Sequence, residues 1–287
     1  MRYQASADFR AALEQRLANQ AAESGMRVDR LRRLAVFERI LARLVVADPE
    51  MWILKGGVAL EMRWPAHART TNDLDLATRL QPVDGVELRE HLDDVLSKDP
   101  DGDGFTFVVA PPKPLQTDEA GRPGWRFSVQ SGLAGREFAS VTLDIVQRME
   151  EIIETDRLSA PNFFAFAEIL GREVEAVSPA QHFAEKLHAL TRDYGRENTR
   201  VRDLVDLALI IERADLAPAA AFAATNAVFR ARGTHEVPLV IPDPSAMWAG
   251  PYERLALDVG IQAKSLAAAM SLLRTFWAAA LTTTQEE

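Results

Sequence analysis

Lys55-Gly56-Gly57, followed after a short interval by Thr71-Asn72-Asp73-Leu74-Asp75-Leu76, is the part of the sequence that decides the fold. The apolar run at residues 52–54 predicts a short buried strand directly before the glycines, and residues 58–64 have helical character directly after them. Two adjacent glycines allow backbone torsions and close approaches that other residues do not. The order of elements is therefore a strand, a glycine pair, a helix and a second strand.

The second strand carries an Asp-x-Asp motif. Its residues alternate with a period of two, so Asp73 and Asp75 lie on one face of the strand and Leu74 and Leu76 on the other. A third carboxylate, Asp144, lies in the apolar run at residues 142–146, which also has the composition of a strand.

Carboxylates embedded in apolar strands are costly unless they are protonated, hydrated or paired with a cation. A divalent metal ion satisfies several carboxylates at once, and Mg²⁺ prefers oxygen ligands and completes its shell with waters and substrate phosphates. Carboxylates on neighbouring strands can hold two such ions for an in-line displacement at phosphorus. Asp73, Asp75 and Asp144 are therefore predicted to be catalytic ligands of Mg²⁺, with Mn²⁺ as the alternative ion.

Gly56-Gly57 is a candidate phosphate site. A helix that begins there presents unobstructed backbone N–H groups and the positive end of its dipole, and Lys55 adds a cation. Taken alone, the glycine pair is equally compatible with an ordinary tight turn. The order of the glycine pair and the three carboxylates is what favours the handling of a nucleoside triphosphate.

The remainder of the chain is predicted to be an α+β fold. Aromatic and β-branched runs at residues 105–110, 125–130 and 138–146 predict strands that join the Asp73 strand in one mixed sheet. Helices are expected at 7–46 with a break near Ser24-Gly25, and at 84–98, 162–170, 179–194, 199–213, 217–231 and 260–282, with an extended linker at 237–244. We expect residues 1–160 to form the mixed-sheet domain and residues 161–287 a helical domain.

Composition excludes several classes of protein. The formal net charge of -9 disfavours a general nucleic-acid coat protein, and the absence of cysteine excludes disulfides and thiolate zinc sites. No membrane span or signal core is recognisable, so a cytoplasmic protein is expected. The acidic loop at residues 99–104 lacks the terminal glutamate and flanking helix pair of an EF-hand, and calcium binding is not predicted.

The segment from Arg27 to Arg43 is strongly basic. Its arginines fall mostly between apolar positions of helical spacing, which indicates a solvated helix face and leaves contact with phosphate as the alternative. Together with Arg230, Arg232 and Arg254, these arginines are the candidates for contact with RNA.

The order of motifs resembles the DNA polymerase β-like nucleotidyltransferase superfamily, in which a glycine pair or Gly-Ser precedes Asp-x-Asp and a third Asp. Leu54-Lys-Gly-Gly-Val-Ala-Leu with Arg69-Thr-Thr-Asn-Asp-Leu-Asp-Leu is more closely similar to the AbiEii/AbiGii family of type IV toxins, which includes the MenT enzymes. The resemblance assigns Arg69 and Thr71 to the same motif as Asp73 and Asp75. Gly57 and Val58 stand where relatives often have hydroxyl residues, so one hydroxyl contact to phosphate is missing.

A second block resembles the C-terminal motifs of the same family. It consists of Lys186 on one helix and an Asp-x-x-Asp pair, Asp203 and Asp206, on the next. Lys186 could bind a triphosphate and the two carboxylates could hold it in place, because residues three apart share a helical face. The alternative is an inter-helix salt bridge without a catalytic part.

The resemblance implies a function with named roles. Asp73, Asp75, Asp144, Lys186 and Asp203 would be catalytic, and the substrate would be bound by Lys55, Gly56, Gly57, Arg69, Thr71 and Asp206. An NTP, a pyrimidine nucleotide by resemblance, would donate NMP to the 3′ end of tRNA, and a cognate antitoxin would be the protein partner. Two alternatives stay open: nucleotide or phosphate transfer to a protein or small molecule, and a catalytically silent fold that acts by binding.

Overall fold

The first part of the chain folds as two helices, a strand, a short helix and a second strand. Helix α1 spans Ser6–Ser24 and α2 spans Val28–Ala47, separated by Gly25, whose φ of 72° is the left-handed conformation that glycine adopts at helix ends. Strand β1 (Trp52–Lys55), helix α3 (Gly56–Arg63) and strand β2 (Asp73–Thr78) follow. The predicted order of strand, glycine pair, helix and Asp-x-Asp strand is confirmed. This computed structural model describes residue 3 and residues 5–65, 67–80, 84–115, 123–147, 149–195 and 198–282.

The middle of the chain supplies one helix and the other strands. These are α4 (Gly85–Ser97), β3 (Phe105–Val109), β4 (Lys113–Pro114), β5 (Gly124–Leu133), β6 (Arg136–Val146), β7 (Thr155–Ser159) and β8 (Glu173–Val177).

The predicted helix at residues 162–170 is wrong. Only one 3₁₀ turn, Ala165–Ala167, lies there, and Glu168 has a φ of 61°, which ends any helix. The apolar residues that suggested helical spacing fill the core instead, since the ring of Phe164 lies 5.9 Å from that of Phe105. Strands β7 and β8 on either side were not predicted.

The C-terminal part is helical, with α5 (Pro179–Thr191), α6 (Val201–Arg213), α7 (Pro218–Arg232), α8 (Ala249–Val259) and α9 (Leu266–Thr282). Ser178 caps α5 by accepting a hydrogen bond from the backbone N–H of Gln181 at 3.1 Å, as its Ser-Pro sequence predicts. Residues 237–244 form neither helix nor strand. The predicted helix at 260–282 begins later, at Leu266, and α8 was not predicted. Pro251 lies in the first turn of α8, where proline is tolerated.

The strands form one mixed sheet in the order β3-β5-β6-β2-β1-β8-β7, and β4 pairs with β5. Strands β2 and β6 are parallel neighbours, as are β1 and β8, and the other pairs are antiparallel. The expected division of the chain after residue 160 falls between the paired strands β7 and β8. It stays a prediction, and sheet membership favours a division after Val177.

Two apolar cores hold the described residues together. In the first, Leu74 of β2 and Leu143 of β6 pack with apolar residues of α1, α2 and α4 on one face of the sheet. The second lies among the C-terminal helices and includes Leu60 of α3. The opposite, polar face of β2 and β6 looks across a cleft to α5 and α6. None of the helices in the described ranges is long and apolar enough to cross a bilayer.

The basic segment of α2 is not a uniformly solvated face. Arg39 and Arg43 are fully buried, and the guanidinium of Arg43 donates to Asp103 at 2.7 and 2.9 Å while that of Arg39 donates to Asp101 at 3.0 Å. Asp101 and Asp103 of the acidic loop are therefore paired with arginines of α2. Burial also removes Arg39 and Arg43 from the candidates for contact with RNA.

Candidate active site

One row of charged residues crosses five strands of the sheet. The register pairs Lys113 of β4 with Arg126 of β5, Arg126 with Asp144 of β6, Asp144 with Asp75 of β2, and Asp75 with Lys55 of β1. Residues that are direct cross-strand partners have side chains on the same face. Pairing of β2 with β6 thus brings together the two carboxylates that the sequence separates by almost seventy positions.

The two glycines are required by close approaches at this row. Gly56 has a φ of 61°, and a Cβ atom built there would lie 1.9 Å from the Oδ2 atom of Asp75. A Cβ atom on Gly57 would lie 2.8 Å from the Cβ atom of Thr71. The start of α3 is therefore in direct contact with the Asp-x-Asp segment, which joins the predicted phosphate site to the predicted metal ligands.

The three carboxylates differ in their partners. Asp144 accepts two hydrogen bonds from the guanidinium of Arg126, at 2.7 and 2.6 Å. The carboxylates of Asp73 and Asp75 receive no hydrogen bond or ion pair from any residue in the described ranges. Burial raises the pKa of Asp75 to about 6, and the negative charges of Asp144 and Asp73 add to the effect while Lys186 opposes it.

This cluster fits a divalent cation. Its donors are oxygens only, and neither Asp73 nor Asp75 has a hydrogen-bonded or ion-paired cation within the described ranges. Within the described ranges, no three acidic or histidine residues are gathered tightly enough to enclose an ion. Asp144 is held by Arg126, which would have to release it for this carboxylate to complete the ligand set.

Lys186 of α5 lies between the two carboxylates of α6. Its Nζ atom is 2.8 Å from Asp203 and 2.9 Å from Asp206, and Asp206 also accepts two hydrogen bonds from Arg69 at 3.0 and 2.9 Å. Burial alone would lower the pKa of Lys186, but Asp203 and Asp206 raise it above its usual range, so the side chain is cationic. The Oδ2 atom of Asp203 has no hydrogen-bond partner among the described residues. The salt bridge considered from the sequence is present, and it points Lys186 into the cleft.

Lys55 is held by carboxylates outside the predicted set. Its Nζ atom is 2.8 Å from Glu185 and 3.5 Å from Glu151. Glu151 also accepts two hydrogen bonds from Arg232, one from Nε and one from NH2, each at 2.8 Å. Lys55 therefore lines the cleft as a paired cation, and Arg232 belongs to this network as well as to the lining of the cleft.

The cleft has two lobes that meet at Asp75 and Lys186. One lobe, of about 430 Å³, is lined by Asp144, Gly56 and Lys55, and the other, of about 460 Å³, by Asp73, Gly57, Arg69 and Thr71. All predicted site residues line one lobe or the other except Asp206, which acts through Arg69 and Lys186.

Several residues of the cleft were not predicted from the sequence. Tyr194 lines both lobes, with the guanidinium of Arg192 5.4 Å and that of Arg200 5.1 Å from its ring centroid. Arg126 and Glu151, which pair with the lining residues Asp144 and Lys55, were also missed. The only signal for Arg126 is its place in an alternating strand, and its partner depends on the register of β5 with β6, which spacing does not give.

A family model described as "Nucleotidyl transferase AbiEii toxin, Type IV TA system" matches residues 39–279. Among solved structures, a "putative nucleotidyltransferase" from H. pylori is similar with 17% identity and a TM-score of 0.43, over 88% of this chain and 97% of that one. An "antigenic nucleotidyltransferase-like protein" from Paracoccidioides brasiliensis is similar with 17% identity and a TM-score of 0.36, over 70% of this chain and 89% of that one. No curated protein matches the chain.

The family match spans most of the chain and includes the glycine pair, the three carboxylates, Lys186 and the Asp-x-x-Asp pair. The chain therefore belongs to the AbiEii family of nucleotidyltransferase toxins of type IV toxin–antitoxin systems.

Proposed function

We propose that the protein transfers NMP from an NTP to the 3′ end of tRNA in a metal-dependent reaction, and that this activity arrests growth until a cognate antitoxin opposes it. The observation that carries the proposal is the charged row, in which Asp75 and Asp144 are direct partners and the start of α3 touches Asp75. Mg²⁺ is the proposed ion, a pyrimidine NTP the proposed donor and the cytoplasm the proposed compartment.

Each residue has a role in this proposal. Asp73, Asp75 and Asp144 would hold Mg²⁺, which when bound supplies positive charge to the reacting phosphate oxygens. The N–H groups at Gly56 and Gly57, with Lys55 and Lys186, hold the triphosphate. Thr71 supports the contact with Gly57, and Arg69, Asp203 and Asp206 fix Lys186.

The two lobes suit two substrates. We assign the triphosphate to the junction of the lobes at Asp75 and Lys186, which Lys55 and Gly56 border from one side and Gly57 from the other. We assign the acceptor hydroxyl to the part of the first lobe that Asp144 lines. Asp144 there accepts the proton of that hydroxyl as it attacks the α-phosphorus and pyrophosphate leaves. Positioning and electrostatic stabilisation supply the rate enhancement.

The test is incubation of the protein with total tRNA, Mg²⁺ and each NTP labelled at the α-phosphate, beside an Asp73→Asn variant. We expect label on the tRNA 3′ end with the native protein and none with the variant. The same reactions with γ-labelled NTP separate nucleotidyl from phosphoryl transfer. Only phosphoryl transfer leaves the γ-label on the acceptor, because nucleotidyl transfer releases it with pyrophosphate.

Other outcomes would overturn particular parts. Label on protein instead of RNA would replace the acceptor and keep the chemistry. Growth arrest by Asp75→Ala at wild-type strength would show that the protein acts by binding and would remove the catalytic proposal.

A further inference from the structure

Arg126 belongs to the charged row, but the proposed reaction assigns it no role. Its guanidinium forms a two-pronged pair with Asp144, from Nε to Oδ1 at 2.7 Å and from NH2 to Oδ2 at 2.6 Å. Both oxygens of this carboxylate are therefore engaged by one cation. Asp73 and Asp75 have no such partner within the described ranges.

This pairing places Arg126 in competition with a metal ion. Bidentate pairs between arginine and carboxylate are the strong and directional ones, and an ion that takes an oxygen of Asp144 has to disturb this geometry. The side chain of Arg126 is 44% exposed, in contrast to 13% for Asp144, so the arginine is the partner that can turn away.

We propose that Arg126 and the metal ion alternate on Asp144, and that Arg126, once displaced, binds a phosphate of the substrate. The inference rests on the proposed function, because it needs a metal ion at Asp144. Arg126 would thus be a positioning residue that aligns Asp144 before the ion arrives and then a substrate-binding residue.

A phosphate is the partner that the surroundings of Arg126 favour. The guanidinium is hydrogen-bonded to Asp144, the carboxylate that lines the acceptor lobe, so it lies next to the place where a substrate phosphate would be attacked. Lys113, its cross-strand neighbour on the exposed side, extends the row with a second cation. A guanidinium matches the geometry of a phosphate as well as that of a carboxylate.

The first test measures binding of Mn²⁺ alone, by the electron paramagnetic resonance of free Mn²⁺, to protein stripped with chelator. We expect Arg126→Ala to bind Mn²⁺ about three- to tenfold more tightly than the native protein, the loss of competition from one partly exposed ion pair. Arg126→Lys, which keeps the charge but not the two-pronged geometry, should fall between them.

The matched control is Arg79→Ala. Arg79 forms a two-pronged pair with Glu175, at 2.6 and 2.7 Å, away from the cleft. This variant should bind Mn²⁺ as the native protein does. Asp144→Asn should bind it more weakly.

The second test measures substrate affinity separately for a non-hydrolysable NTP and for tRNA, each in saturating Mn²⁺. Arg126→Ala should weaken one of the two about tenfold, and the weakened one identifies whose phosphate Arg126 binds. Circular dichroism and thermal unfolding of each variant confirm that it is folded, and Arg126→Gln replaces Arg126→Ala if the latter does not fold.

The outcomes separate the two proposals. Equal or weaker Mn²⁺ binding by folded Arg126→Ala and Arg126→Gln would overturn the exchange while leaving the proposed function intact. Tighter Mn²⁺ binding with unchanged affinity for both substrates would overturn the phosphate role. A native protein that binds no Mn²⁺ at all would remove the metal, and with it both proposals.

Discussion

At the scale of single residues, Gly56 sets the distance between the backbone of α3 and the carboxylate of Asp75. Its φ of 61° and the 1.9 Å approach of a Cβ atom to Oδ2 are two independent reasons for glycine. The first is a backbone preference that any left-handed position shares. The second is specific to this site, because it ties the shape of the phosphate site to that of the metal site.

Replacing Gly56 by alanine should therefore cost activity far beyond its effect on folding. The new methyl group displaces Asp75, and a shift of about 1 Å at a reacting centre costs about 100-fold in rate. Gly25→Ala is the matched control, since Gly25 has a φ of 72° with nothing within 4 Å. Both variants carry the cost of the left-handed conformation, but only Gly56→Ala should lose nucleotide transfer per folded molecule. Equal activities would contradict the contact with Asp75.

Glu38 gives a prediction of pH dependence. Its buried carboxylate accepts hydrogen bonds from Arg39 at 2.8 Å and from the N–H of Phe163 at 3.1 Å, and burial raises its pKa to about 7 although Arg39 opposes the rise. The folded state thus holds this proton more tightly than the unfolded chain. The stability due to Glu38 is full below its ordinary pKa, near 4.5, and is lost as pH rises to about 7.

Glu38→Gln cannot ionise and should remove this pH dependence. Between pH 5 and pH 8 the free energy of unfolding should shift in favour of the variant, relative to the native protein, by about 1–3 kcal/mol. Urea unfolding at the two pH values measures the shift. A difference between variant and native protein that is the same at both pH values would show that Glu38 is ionised throughout.

At the scale of elements, the sequence predicted the strands whose own residues show alternation or an apolar, β-branched composition. Alternation in residues 73–76 was enough for β2, and the cap at Ser178 was enough for the start of α5. Strand β7 is short and largely polar, and it is a strand because β8 pairs with it, a partner that its own composition does not reveal. Asp144 could be predicted as a ligand because its own strand carries the pattern. Its pairing with Arg126 could not be predicted, because it depends on the register of β5 with β6.

The acidic loop and α2 show how a local pattern can mislead. Spacing put Arg39 and Arg43 between apolar positions, which predicts solvent contact, yet the loop that ends in Asp103 covers them. Asp103 is itself buried, and its carboxylate also accepts a hydrogen bond from the N–H of Phe105 at 2.8 Å. The long arginines made a buried ionic layer possible at positions that the sequence assigns to the surface.

Asp103→Ala should accordingly destabilise the fold by about 3–5 kcal/mol, because it leaves the guanidinium of Arg43 buried without its main partner. Urea unfolding at pH 7 measures the loss. Asp94→Ala, which breaks the exposed pair with Lys98, is the control and should leave the unfolding midpoint unchanged. If both variants unfolded at the native midpoint, the layer would be exposed in solution.

At the scale of the whole molecule, the two apolar cores are joined across the cleft by an ion-pair network. Asp206 of α6 lies at its centre, bound by Arg69 from the segment before β2 and by Lys186 of α5. Its side chain is 1% exposed, so each of these charges depends on the others for compensation. The network that aims Lys186 at the substrate thus also holds the helices against the sheet.

Asp206→Asn should lower both stability and activity for this reason. Burial alone would raise the pKa of Asp206, but Lys186 and Arg69 lower it, so its contribution is present above the ordinary pKa of 3.8 and is lost only as pH falls further. At pH 7 the variant should be less stable by about 2–4 kcal/mol, and this gap should narrow as pH falls below about 4. Asp243→Asn, at an ion pair whose carboxylate is 88% exposed, is the control and should match the native protein. Urea unfolding between pH 3 and pH 7 with parallel transfer assays measures both effects, and a variant of native stability that had lost activity would assign Asp206 to catalysis alone.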